Sequence, residues 1–201
     1  MDINILLFDE FEPLDVFGPA EVFLHAEKFN VQYFTLSNKR ATTSYGLPIV
    51  DLLSDEEIDT SGVLLIPGGP GTRCLVNDKN FIEKLKILID KSAYCLSVCT
   101  GSALLAMTTM LDHKRATSNK LAFNWVTSLN AKILWQRHAR WTVDDKFYTS
   151  SGVSAGIDMS FAFLEHVTTS DFADNVARDI EYVRIRDSQS DPFSWEKVLL
   201  N

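Results

Sequence analysis

The sequence predicts an α/β fold: a three-layer sandwich in which a mainly parallel sheet carries helices on both faces. Three observations predict it. Short continuous apolar runs, such as INILLF at 3–8 and GVLLI at 62–66, have the length and character of strands buried on both sides. Segments with apolar residues at helical spacing alternate with these runs, as in strand–helix–strand units. The most unusual local sequences, FDEFEPL, PGGPG and CTG, fall where the apolar runs end, and ligand sites in such sheets lie at the carboxyl ends of the strands.

Taken in order, residues 3–8 are the first strand. A helix is expected to open at Gly18 and Pro19, because proline suits the first helical turn, where its missing N–H had no partner. Val22, Phe23 and Ala26 then share one face. Residues 31–36 (VQYFTL) read as the next strand and 47–50 as a short extended piece, followed by the acidic DLLSDEEID. The strand at 62–66 is closed by PGGPG. An amphipathic helix at 80–89 turns Phe81, Leu85, Leu88 and Ile89 inward. Residues 94–98 are another buried strand and 101–110 the helix after it. From 115 to 148 the pattern is less regular, with short strands expected near 132–135, 139–143 and 146–148 and a helix near 121–128. Helices at 156–167 and 171–185 close the pattern, and the tail after Asp187 is expected to pack loosely. No repeat, low-complexity tract or linker interrupts residues 1–201, which therefore read as one domain.

Composition narrows the function classes. A chain of 201 residues, 46% hydrophobic, can build one substantial core. Its net charge of −8 argues against nucleic acid and anionic membrane as partners. No window approaches the roughly 18 apolar residues of a membrane span. The start MDINILLFDEFEPLDVF flanks its apolar run with acids and lacks the basic region of a signal peptide. The 3 cysteines are odd in number and few, so reduced thiols in a cytoplasm are expected rather than a disulfide framework. His25, His113, His138 and His166 lie away from the strand ends and none pairs with a cysteine at metal-ligand spacing. Neither a metal nor a cofactor is expected.

Three strand ends carry the chemistry. Cys99 sits between a buried strand and a helix, on a turn made tight by Thr100, Gly101 and Ser102. Such an elbow aims its side chain into the cleft, and unpaired N–H groups at a helix start favour a thiolate. A buried structural cysteine is the competing reading; the elbow position favours chemistry. Cys95, inside the strand, reads as sheet packing, and Cys74 as an inert surface residue. PGGPGTR lacks the endings and spacings of a phosphate loop. Its backbone donors near Gly69 and Pro70, with that of Thr100, are candidates to hold a developing negative charge. Asp15 either favours a helix start or reaches the elbow, where a carboxyl touching a thiol can move a proton.

Read together, FDEFEPLDVFGPAEVF, VLLIPGGPGT, LSVCTGSALLA, RATS and SGVSAGIDMSFAFLE resemble, in order, the ThiJ/PfpI superfamily. The resemblance covers nearly the whole chain. It implies a class-I glutamine-amidotransferase-like, flavodoxin-like fold, an elbow cysteine with a nearby acid, and a homodimer. D-x-x-G-P-x-E-V-F with C-T-G is most similar to the isocyanide hydratase branch and to the ligand-binding halves of AraC-type regulators. That similarity implies catalytic roles for Cys99, Asp15 and Thr100; Gly68, Gly69, Pro70, Gly71, Asn119 and Ser154 are the residues expected to bind a small-molecule substrate. One departure stands out: Asn119 occupies the place where many members have His, which argues against a Cys–His dyad. Trp125, Trp135 and Trp195 are expected in the core rather than at an interface.

The leading expectation is a cysteine-dependent enzyme that hydrates an isocyanide to an N-substituted formamide. One alternative is a glyoxalase- or amidase-like activity on small carbonyl compounds. Another is a non-catalytic domain that senses a ligand or oxidant.

Overall fold

The computed structural model describes residues 1–37 and 39–194; Trp195 lies outside the described residues. The elements follow one another as β1 (Asp2–Leu6), α1 (Pro13–Leu24), β2 (Asn30–Thr35), β3 (Ala41–Thr42), β4 (Pro48–Ile49), β5 (Leu53–Ser54), β6 (Val63–Ile66), α2 (Thr72–Leu75), α3 (Lys79–Lys91), β7 (Tyr94–Ser97) and α4 (Gly101–Met107). Then come β8 (Arg115–Ala116), α5 (Phe123–Leu129), β9 (Leu134–Trp135), β10 (Trp141–Asp144), β11 (Phe147–Ser150), α6 (Ala155–Val167) and α7 (Ser170–Asp179).

The main sheet has 7 strands in the order β10-β11-β7-β6-β1-β2-β5. Every pairing is parallel except β10 with β11, so the expected mainly parallel α/β sandwich is what forms. Its strands are apolar throughout because both faces are covered: Ile3, Ile5, Val63, Leu65, Cys95 and Leu96 are all fully buried. Helix α1 packs on α6 and α6 on α7, while α4 packs against α2 and α5. Among the described residues no helix is long and apolar enough to cross a membrane.

Chain order sets where a site can form. From β1 the chain crosses to β2 on one side, then returns to build β6 and β7 on the other. Open sheets bind ligands at such a reversal. Register then aligns the loops: Ile66 pairs with Ser97, and Ser97 with Thr149. Two residues further on in each strand stand Gly68, Cys99 and Ser151, at one level above the sheet.

Several boundaries differ from the sequence expectation, each for a physical reason. Helix α1 begins at Pro13, not at Gly18–Pro19, so Pro19 lies inside it. Pro13 already supplies the favourable first-turn proline. Gly18 is instead a packing point, since a Cβ there would stand 2.8 Å from Ile157 on α6. Helix α4 stops at Met107 and not Met110, before Thr109 turns left-handed (φ 64°). Helix α7 ends at Asp179 instead of Ile185, and Glu181 is left-handed (φ 53°). That break turns Tyr182 and the Ile185 N–H onto Asp158. The acidic 51–59 segment yields the edge strand β5. The tail does not pack loosely through Ser194: Ser188 O accepts the Arg140 N–H, the Asp191 N–H bonds His138 O, and Asp191 is buried.

Candidate active site

Cys99 is the hinge of the site. Its φ of 58° lies in the left-handed region, which costs a non-glycine residue free energy and persists only where surroundings impose it. The surroundings here are hydrogen bonds on both sides of the residue. Its N–H bonds Ser151 O at 3.0 Å, and its carbonyl accepts the Ser102 and Ser118 hydroxyls at 3.1 and 2.9 Å. The result is a thiol held at the start of α4, only 6% exposed. Cys95 lies inside β7, fully buried, and burial pushes its thiol up to about 12. Cys74 is exposed.

Asp15 reaches the thiol from α1. Its position in the first turn directs the carboxyl inward, where it is fully buried. Oδ2 accepts the Gly68 N–H at 2.9 Å, whereas Oδ1 has no hydrogen-bond partner of good geometry. Burial is the main influence on this acid and lifts its pKa to about 7. The Gly68 N–H opposes the rise, Glu12 adds to it, and the Cys99 thiol and Val153 N–H oppose it. Cys99 is itself pushed well above the ordinary thiol range, first by burial and then by the Asp15 charge. The N–H groups of Thr100 and Val153 and the Asn119 amide pull in the other direction. The expected helix-start stabilisation of a thiolate is therefore present but outweighed. Asp15 and Cys99 are a coupled pair: below about pH 7 each holds a proton, and above it the pair shares one.

The PGGPG loop supports this pair. Gly68 donates to Asp15, Gly69 donates to Thr100 Oγ1 at 3.0 Å, and Gly71 donates to Glu10 O at 3.3 Å. The Pro70 carbonyl accepts the Arg73 N–H at the start of α2. These donors are engaged within the protein, so they position the acid and Thr100 and do not face a substrate. The donors directed at the sulfur are the Thr100 and Val153 N–H groups. Thr100 Oγ1 is fixed in turn by Thr72 at 3.1 Å. A Cβ on Gly68 would meet Thr100 N at 2.5 Å and Asp15 Oδ2 at 2.9 Å, so only glycine lets acid and elbow approach this closely.

A cleft of about 780 Å³ lies beside the elbow, walled in part by Asn119, Gly152, Val153 and Ser154. Asn119 and Val153 also touch the thiol, so the cleft comes within one residue of it, although Cys99 is not itself on the wall. Asn119 Oδ1 is taken by the Ala122 N–H at 3.0 Å, which turns its amide nitrogen toward Gly152 and the site. Of the sequence-predicted residues, the structure brings together Asp15, Cys99, Thr100, Gly68, Gly69 and Asn119, with Ser154 on the cleft wall. Gly71 borders a separate cleft beside Cys74. Sequence reasoning missed Val153, Ser118 and the 192–194 segment that walls the cleft. Val153 gave no signal, because what matters is its backbone N–H and its left-handed φ of 49°.

This architecture and this elbow match a known family model, described as DJ-1/PfpI, across residues 1–166. The chain belongs to the DJ-1/PfpI family. Within it, an isonitrile hydratase from Pseudomonas putida is 28% identical over 182 residues, covering 90% of this chain and 78% of the relative. A ThiJ/PfpI family protein from Pseudomonas syringae has a similar solved structure, with a TM-score of 0.80 and 24% identity over 92% of this chain and 76% of that one. Schizosaccharomyces pombe DJ-1 gives a TM-score of 0.73 at 14% identity, covering 91% of this chain and all 100% of its own. At these identities the two structures speak for the fold alone.

Proposed function

We propose that this DJ-1/PfpI protein is a cysteine-dependent hydratase that converts an isocyanide to an N-substituted formamide. The observation that carries the reading is the coupled pair: a buried acid with a pKa near 7 set against an elbow thiol. Hydration of R–N≡C needs a nucleophile for the terminal carbon and a proton for the same carbon, and this pair offers both. As Cys99 Sγ bonds the carbon, its proton passes through Asp15 to that carbon, giving a thioimidate, R–N=CH–S. Water then adds to the carbon, losing one proton to Asp15 and the other to nitrogen. The C–S bond breaks, the sulfur regains its proton from Asp15, and R–NH–CHO leaves. The Thr100 and Val153 N–H groups stabilise negative charge on the departing sulfur.

The identity to an isonitrile hydratase supports the same reading. Asn119, which has no basic nitrogen, disfavours a histidine-assisted hydrolysis. The test is steady-state hydration of an alkyl isocyanide beside turnover of methylglyoxal. Isocyanide turnover that disappears in Cys99→Ala is expected; full activity in that variant, or turnover of methylglyoxal alone, overturns the reading.

A further inference from the structure

The cleft beside the Cys99 elbow is unusual for so acidic a protein. Among the described residues its wall contains Lys120 and Arg137 and no carboxylate, although the chain carries a net charge of −8. The two cations are differently placed. Lys120 is committed: its Nζ donates to Thr117 Oγ1 at 2.8 Å and Ala139 O at 2.6 Å, and lies 4.0 Å from the Asp191 carboxylate. Arg137 bonds only a neutral acceptor, Asn124 Oδ1, and no acid pairs with it among the described residues. Arg140 and Arg184 behave otherwise: Arg140 pairs with Asp158, and Arg184 with Glu165 and Asp174.

Arg137 is also held ready. Its guanidinium lies over the Phe123 ring, 4.6 Å from the ring centre, which holds the fork at the cleft wall. Beside it stand Leu121 and Phe193, large apolar side chains left 83% and 68% exposed on the same wall. An unpaired fork next to apolar surface suits a ligand with a hydrocarbon body and a carboxylate end.

We infer that Arg137 is a specificity residue that binds a carboxylate on the substrate, so that the cleft takes an anionic, partly aliphatic small molecule. The inference deepens the hydratase reading by naming its substrate class, and its binding arm does not depend on turnover.

The experiment compares an ω-isocyanoalkanoate with its methyl ester, in the wild-type chain and in Arg137→Gln and Arg137→Lys. The wild type is expected to favour the acid by roughly tenfold or more in kcat/KM. Arg137→Gln should erase most of that preference, and Arg137→Lys should keep part of it. In parallel, calorimetry measures hexanoate against hexanamide. Hexanoate binding that weakens in Arg137→Gln, with hexanamide binding poorly throughout, supports the inference. Equal rates for acid and ester in the wild type, or a preference or hexanoate affinity untouched by Arg137→Gln, overturns it. Hexanoate bound through Arg137 without turnover of either isocyanide would sink the hydratase reading and leave the anion site standing.

Discussion

Asp15 and Asp158 are both buried carboxylates on helices that pack together, α1 and α6, yet their surroundings have little in common. Asp158 is saturated. Its Oδ2 accepts Arg140 Nε at 2.8 Å and Nη2 at 2.6 Å, and its Oδ1 accepts the Tyr182 hydroxyl at 3.1 Å and the Ile185 N–H at 2.8 Å. Asp15 has one N–H from Gly68, an oxygen without a good partner, and no cation. A buried carboxylate with every lone pair engaged ties elements together; here it joins α6 to the residue before β10 and to the segment after α7. A buried carboxylate left short of partners exchanges its proton near neutral pH, which is what chemistry at Cys99 requires.

The contrast can be broken from either side. The largest effect is expected from Asp15→Asn, which keeps the shape and the bond from Gly68 but cannot carry the proton. It should lower kcat/KM for an isocyanide by roughly a hundredfold to ten-thousandfold without loss of folding, read by kinetics beside a melting curve. Arg140→Met should do the reverse of this. Stranding Asp158 without its cation should cost about 3–5 kcal/mol in urea unfolding, because an unpaired buried charge remains.

A third effect sharpens the same contrast through pH. The folded state holds the Asp15 proton up to about pH 7, against a carboxyl value of 3.8 when unfolded. Between those values the folded state binds the extra proton, so stability falls as pH rises across this window, by up to about 4 kcal/mol. Asp15→Asn should lack this decline when both proteins are unfolded in urea at pH 4.5 and pH 8. Activity should move the other way, with kcat/KM rising through about pH 7 as the pair reaches its one-proton state. The smallest effect belongs to Thr100→Val, which removes the acceptor of the Gly69 N–H. A loss of about 1–3 kcal/mol in stability is expected, since the N–H is left without its partner.

Much of this was legible in the sequence because strand and turn signals are local. The runs at 62–66 and 94–98 marked β6 and β7, and the small residues after Cys99 marked the elbow. Asp15 was visible as a candidate, but its depth was not: Gly18–Pro19 looked like a helix start, while Pro13 had already opened α1 and turned the acid inward. The role of PGGPG was misread for a related reason. Glycine-rich sequence shows that backbones approach closely, and only the fold shows that Gly68 approaches Asp15 and Thr100. Val153 and the 192–194 wall were illegible, because their contributions come from backbone donors and tertiary placement, which leave no side-chain pattern.

Asp15 gains and loses its proton near neutrality while Cys99 lies against it. A carboxyl-carbon NMR titration of protein labelled at aspartate, wild type beside Asp15→Asn, tests it most directly. One resonance should titrate near pH 7 in the wild type and be missing from the variant. If every aspartate carboxyl in the wild type titrates below about pH 5, Asp15 is not tuned to exchange a proton near neutrality, and the account is contradicted.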